Sequence, residues 1–101
     1  MKVYLSELAE DKLTKLTHYL HSEWSLKVKK EFVSKLTDKI NQIASHSESC
    51  PQSSIQKGLY KCVVTRQTSF YYRIKSELNE IEIITIFDTR QNPDKLKQDL
   101  K

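Results

Sequence analysis

Glycine occurs once in this 101-residue chain, at Gly58, and proline twice. A loop that cradles phosphate with successive backbone N–H groups needs several glycines, so a nucleotide-binding loop of that kind is excluded. So few chain breakers also leave room only for short connections. Cysteine occurs twice, at Cys50 and Cys62, with no Cys-x-x-Cys pair and no metal-ligand spacing to His18, His21 or His46. That argues against a disulfide-dense secreted scaffold and against a zinc site. It fits free thiols in a cytosolic protein, with no metal or other cofactor. No apolar run approaches the ~20 residues that cross a bilayer, so no membrane association is expected. Met1–Leu5 is one strand long and a charged segment follows it, so no signal peptide is expected.

What is present is a charged, periodic chain. Charged residues make up 30%, with 17 basic and 13 acidic side chains and a formal charge of +4. The surplus is a mild bias toward a negatively charged partner, either nucleic acid or an acidic protein segment. A chain of this length reads as one domain over residues 1–101, with a modest core.

The segment from Gly58 to Leu96 organises the chain. Three runs rich in β-branched and aromatic residues, Tyr60–Arg66, Phe70–Ile74 and Glu80–Phe87, are separated by the short polar gaps Gln67–Ser69 and Lys75–Asn79. That spacing predicts an antiparallel meander. In the middle run Phe70, Tyr72 and Ile74 point one way, and Tyr71 and Arg73 the other. The run Ile81, Ile83, Ile84, Ile86 is apolar on both faces, as in a central strand covered on both sides. One cover is a helix hairpin; the other is the C-terminal tail or a partner.

Upstream, Lys2–Leu5 reads as a short strand. Ser6 caps a first helix that carries Ala9, Leu13, Leu16 and Leu20 at helical spacing and ends near Ser22–Trp24. Trp24 is expected to anchor packing at the helix turn. Ser25 caps a second helix with the stripe Phe32, Leu36, Ile40 and Ile43; Lys27, Lys29, Lys30, Lys35 and Lys39 invite a nucleic-acid reading, but a solvated helix face is the commoner role and the one expected. The Ser-rich stretch Ser45–Ser54, broken by Pro51, is the expected mobile loop. Asn92 before Pro93 starts a short C-terminal helix that docks through Leu96 and Leu100. The fold class is therefore α+β: an N-terminal strand, an antiparallel two-helix hairpin packed on an antiparallel sheet, and a short final helix.

No nucleophile sits in a recognisable local context, and all three histidines lie in or near the helical half. The remaining candidates form a basic and aromatic group: Lys57, Lys61, Arg66, Tyr71, Tyr72, Arg73, Asp88, Arg90 and Gln91. Such residues neutralise phosphates and stack bases, or equally hold a segment of an acidic partner. The competing reading makes Tyr72 a core residue, pairs Arg66 and Arg73 with strand neighbours, and pairs Asp88 with Arg90.

The order strand, helix, helix, three strands and tail resembles the RelE/ParE superfamily of toxins from type II toxin–antitoxin systems. The resemblance is carried by Ala9–Leu13, the Tyr19–Trp24 segment, Phe32 with Leu36, the run Gly58–Val64, Tyr71-Tyr72-Arg73-Ile74, and Ile83–Phe87 leading into Asp88-Thr89-Arg90-Gln91-Asn92-Pro93. The last block is similar to the form common in Bacteroidetes toxins. The resemblance implies a growth-inhibiting toxin held in a hetero-oligomer by a cognate antitoxin, with DNA gyrase or ribosome-bound mRNA as target. RelE-like members cleave mRNA with several basic residues and a late Tyr or His. Here Lys61 and Arg90 match, but Ser69 stands where an arginine would open the third strand, and no Tyr or His follows Arg90. A nuclease would have to work without metal, through Lys61, Arg66, Arg90 and Tyr72. The missing proton-transfer group tilts the expectation to a ParE-like, gyrase-binding toxin that is not an enzyme.

Overall fold

The computed structural model describes residues 1–89 and 100. Strand β1 (Lys2–Leu5) is followed by helices α1 (Glu7–Glu23) and α2 (Leu26–Ser45), then by β2 (Tyr60–Val63), β3 (Thr68–Lys75) and β4 (Glu80–Asp88). The sheet order is β1-β4-β3-β2. β2, β3 and β4 form the expected antiparallel meander. β1 pairs parallel with β4, so the sheet is mixed rather than wholly antiparallel. Both helices, with β2 and β3, lie in the long connection that a parallel neighbour requires. Among the described residues no helix is long and apolar enough to cross a membrane. The helix expected from Asn92 lies outside the described residues, apart from Leu100.

Both helices start where their serines allow. Ser25 Oγ accepts from Val28 N at 3.1 Å, and Ser6 Oγ accepts from Ala9 N at 3.0 Å. Ser6 does more than cap. Its hydroxyl donates to the Ile84 carbonyl at 2.7 Å and its N–H donates to Ile83 O at 3.0 Å, which ties the start of α1 to β4. That carbonyl belongs to a bulge: Tyr71 faces Thr85 and Tyr72 faces Ile83, so Ile84 has no opposite residue. The bulge resets the alternation of β4. Ile81, Ile83 and Ile86 all reach the helix-side core, while Ile84 turns to the other face. Removing the hydroxyl strands the Ala9 N–H and the Ile84 carbonyl together. Ser6→Ala is therefore expected to lower unfolding free energy by about 1–3 kcal/mol in a urea melt.

The main core lies between the hairpin and the sheet, with Leu16, Leu20, Phe32, Leu36 and Ile43 set against Phe70, Tyr72, Ile81, Ile83 and Ile86. A smaller cluster of Leu59, Tyr71 and Leu100, with Ile84 and Phe87, covers part of the opposite face. The second cover is thus supplied in part by the chain itself.

Three sequence expectations change. β2 stops at Val63, not Arg66, because Val64 N and Thr65 N both donate to Thr68 O, while Thr65 Oγ1 accepts from the N–H groups of Gln67 and Thr68. The turn tightens around that threonine hydroxyl. The Ser-rich loop is tethered rather than loose. Ser47 O accepts from the Tyr72 hydroxyl at 2.7 Å, Cys50 enters the core, and Gln52 forms an antiparallel bridge with Tyr60. Trp24 is not a buried anchor: its backbone closes α1 on Leu20 O, while its side chain stands 61% exposed.

Candidate functional site

Strand alternation sorts the candidate residues. Lys61 faces Tyr71 across β2–β3, and Arg73 lies two residues along β3 from Tyr71. Lys61 and Arg73 therefore project from the same face, the one turned away from the helices, and both are exposed. Tyr71 lies between them but is 1% exposed, packed with Leu59 and Leu100. As a surface contact residue it is withdrawn, since the small cluster consumes its ring. Burial also raises its pKa. Lys75 continues the cationic row and is held in place there: its ammonium donates to Tyr4 Oη at 2.6 Å and lies 3.4 Å from a Glu82 carboxylate oxygen. The Tyr4 hydroxyl and Glu82 raise its pKa. Lys57 and Arg66 are exposed on the connections before β2 and after it.

Tyr72 belongs to the other side. It is fully buried under the hairpin, stacks on Tyr60 at 5.2 Å between ring centroids, and gives its hydroxyl to Ser47 O. Burial, followed by the Cys50 sulfur beside it, pushes its pKa up. A group in that position is not a proton donor to a ligand beside Lys61, so the role of possible acid is corrected to that of core residue. Asp88 is 2% exposed and accepts from Thr68 Oγ1 at 3.1 Å, so its carboxylate holds the end of β4 in register with β3. Arg90 and Gln91 lie outside the described residues.

A groove that sequence patterning did not reveal runs between the hairpin and the β2–β3 turn. It holds about 230 Å³, with Trp24, Val28 and Phe32 on its apolar side and Glu31, Thr65 and Gln67 among its polar groups. The signal was present in the lone tryptophan two residues from a helix start, but an aromatic at a helix turn reads equally as packing. Among the described residues no cluster of His, Cys, Asp and Glu is placed to hold a metal ion.

The arrangement is a helix hairpin on one face of a four-stranded sheet and, on the other, Lys61, Arg73 and Lys75, with Glu82 and Glu80 directly across from the last two. The model of the ParE toxin of type II toxin–antitoxin systems, parDE, matches residues 3–93. The chain belongs to that ParE toxin family. Solved structures agree in fold. A chain of the chromosomal ParDE system from P. aeruginosa superposes with a TM-score of 0.71 at 16% identity, over 87% of this chain and 95% of that one. A YoeB/ParE toxin from Agrobacterium tumefaciens gives 0.65 at 16% identity, over 87% and 98%. The isolated E. coli RelE toxin gives 0.63 at 11% identity, over 96% and 93%. A comparison with curated protein sequences found no match. The family is that of toxins of type II toxin–antitoxin modules, which implies a cognate antitoxin as partner.

Proposed function

We propose that this toxin arrests growth by binding a protein target, with DNA gyrase the expected class, rather than by cutting RNA. The observation that carries the reading is the separation of Tyr72 from Lys61 and Arg73 by the full thickness of the sheet. Cleavage at a 2′-hydroxyl needs a group that takes a proton and one that gives a proton near the cations. Among the described residues, Tyr71 and Tyr72 are both buried, the histidines lie on α1 or just after α2, and the Tyr4 hydroxyl and Glu82 carboxylate on the open face are both engaged by Lys75. Lys61 and Arg73 remain suited to steering and holding an acidic surface. The groove beside Trp24 is a suitable seat for an apolar segment of the antitoxin, since it joins an exposed indole to the core residue Phe32. The Asp88–Pro93 block supports, through its resemblance, a place among Bacteroidetes-like forms, and the free thiols Cys50 and Cys62 fit action in the cytoplasm.

The test is supercoiling by purified gyrase with the purified toxin added. Inhibition at concentrations comparable to those that stop growth is expected. Unimpaired supercoiling, together with codon-phased mRNA cleavage on ribosomes, would replace this reading with the RelE-like one. That second reading draws on Lys61 of the same face, with Arg66 and Arg90 as the further cations the resemblance names.

A paired substitution probes the face itself. Lys61→Ala with Arg73→Ala is expected to lower target affinity on the order of tenfold, from two exposed charge contacts worth up to about 1 kcal/mol each. The melting temperature should stay nearly constant, because both side chains are exposed. Target affinity equal to that of the parent protein would move the binding surface elsewhere.

A further inference from the structure

The chain's two cysteines are brought together by a ladder that the sequence did not announce. Gln52 bridges Tyr60 antiparallel; Ser53 N donates to Leu59 O at 2.7 Å, and Lys61 N donates to Pro51 O at 2.9 Å. These two bonds flank a non-hydrogen-bonded pair, 52 with 60. Continuing that register by two residues would set Cys50 opposite Cys62 at another such position. Directly opposed residues at such positions have Cα atoms roughly 4.5 Å apart, within the span of a disulfide. The Cys50 sulfur is within hydrogen-bonding reach of the Cys62 thiol, and both residues are buried as free thiols.

We infer that Cys50 and Cys62 are a dithiol modification site, which oxidation by a small-molecule disulfide closes into a cross-strand staple between the 46–59 loop and β2. The first exchange falls to Cys50, which is 7% exposed against 1% for Cys62. Its sulfur, having given up its proton, attacks the small disulfide and expels one thiolate, leaving a mixed disulfide on Cys50. The Cys62 sulfur, on losing its proton, attacks Cys50 and expels the second thiolate. Two protein thiols are oxidised by two electrons, one small disulfide is reduced to two thiols, and both protons pass to the expelled thiolates. Burial keeps Cys62 protonated while reduced, so the second step waits on opening of the loop and the reaction is slow. The staple closes the segment that carries Lys57 and Lys61. It fixes the loop that Tyr72 otherwise holds through Ser47.

This inference does not depend on which target the toxin binds. The test incubates the intact protein with glutathione disulfide, then maps peptides by mass under non-reducing conditions and records the melting temperature. The expected result is an intramolecular Cys50–Cys62 crosslink, reversed by a reducing agent. The oxidised protein should melt on the order of 10 °C higher, from the entropy removed from the unfolded chain. Cys50→Ser should show neither the crosslink nor the rise. Two thiols that stay alkylatable after long incubation, a glutathione adduct that never resolves, a crosslink between two chains, or a crosslink that lowers the melting temperature would each overturn it.

Discussion

Phe70→Ala is expected to lower the unfolding free energy by about 3–5 kcal/mol, the range for emptying a large aromatic site in a closed core. Phe70 sits mid-strand in β3, is 0% exposed, and lies 5.9 Å from the Tyr72 ring centroid. Its neighbours cannot collapse into the space easily. Tyr72 is fixed by its bond to Ser47, and Ile86, directly across the strand pair, is fixed by the bulge that sets the phase of β4. A domain of this size has a total stability of roughly 5–15 kcal/mol, so the loss is a large share of it. The melting temperature should fall on the order of 20 °C in a thermal melt. Val63→Ala is the contrast: this residue lies on the edge strand and is 55% exposed, and its loss should stay within about 0.5 kcal/mol. A fall of less than about 1 kcal/mol for Phe70→Ala would mean that the hairpin does not close over β3.

The same residues show how much of the molecule could be read from its sequence. β1 and the two helix starts were legible because they rest on local chemistry: alternation at Lys2–Leu5, and hydroxyls at Ser6 and Ser25 placed to accept from the first turns. The meander was legible because its strands are close in sequence. The parallel pairing of β1 with β4 was not, since nothing in a four-residue strand names a partner some eighty residues away. The bulge was visible only as an oddity, Ile83 next to Ile84, and its meaning needed the Ser6 hydroxyl as a second half. For the site, polarity identified Lys61 and Arg73, and alternation put Tyr72 opposite Tyr71. Exposure was the missing quantity. Tyr71 reads as an available ring until Leu59 and Leu100 close over it, and Trp24 reads as core until the hairpin turns it outward. Both errors arise from contacts between residues far apart in the chain.

Stability is expected to fall steeply in alkali, by about 4 kcal/mol at pH 11 relative to neutral pH, when thiols are kept reduced. Burial, reinforced by the Cys50 sulfur, raises the Cys62 thiol from its ordinary 9.0 to about 12. Burial raises the Tyr72 hydroxyl above its ordinary 10.0 in the same way. Both groups are neutral when protonated. The folded chain therefore holds protons that the unfolded chain has already released, and the contribution is complete below about pH 9 and is lost as pH rises toward the folded values. Each group adds up to about 1.4 kcal/mol of loss per pH unit once its unfolded pKa is passed: some two units for Cys62 and one for Tyr72 by pH 11. The raised Tyr71 hydroxyl and Lys75 ammonium add to the loss in the same direction. Urea melts between pH 7 and pH 11 measure the limb. Cys62→Ala should make it shallower and delay its start toward pH 10. A Cys50–Cys62 disulfide should do the same in the unmutated protein, because an oxidised sulfur has no proton to release. A reduced protein whose stability is level through pH 11 would mean that water reaches the Cys62 and Tyr72 side chains, and that the 46–59 loop does not seal this edge of the core.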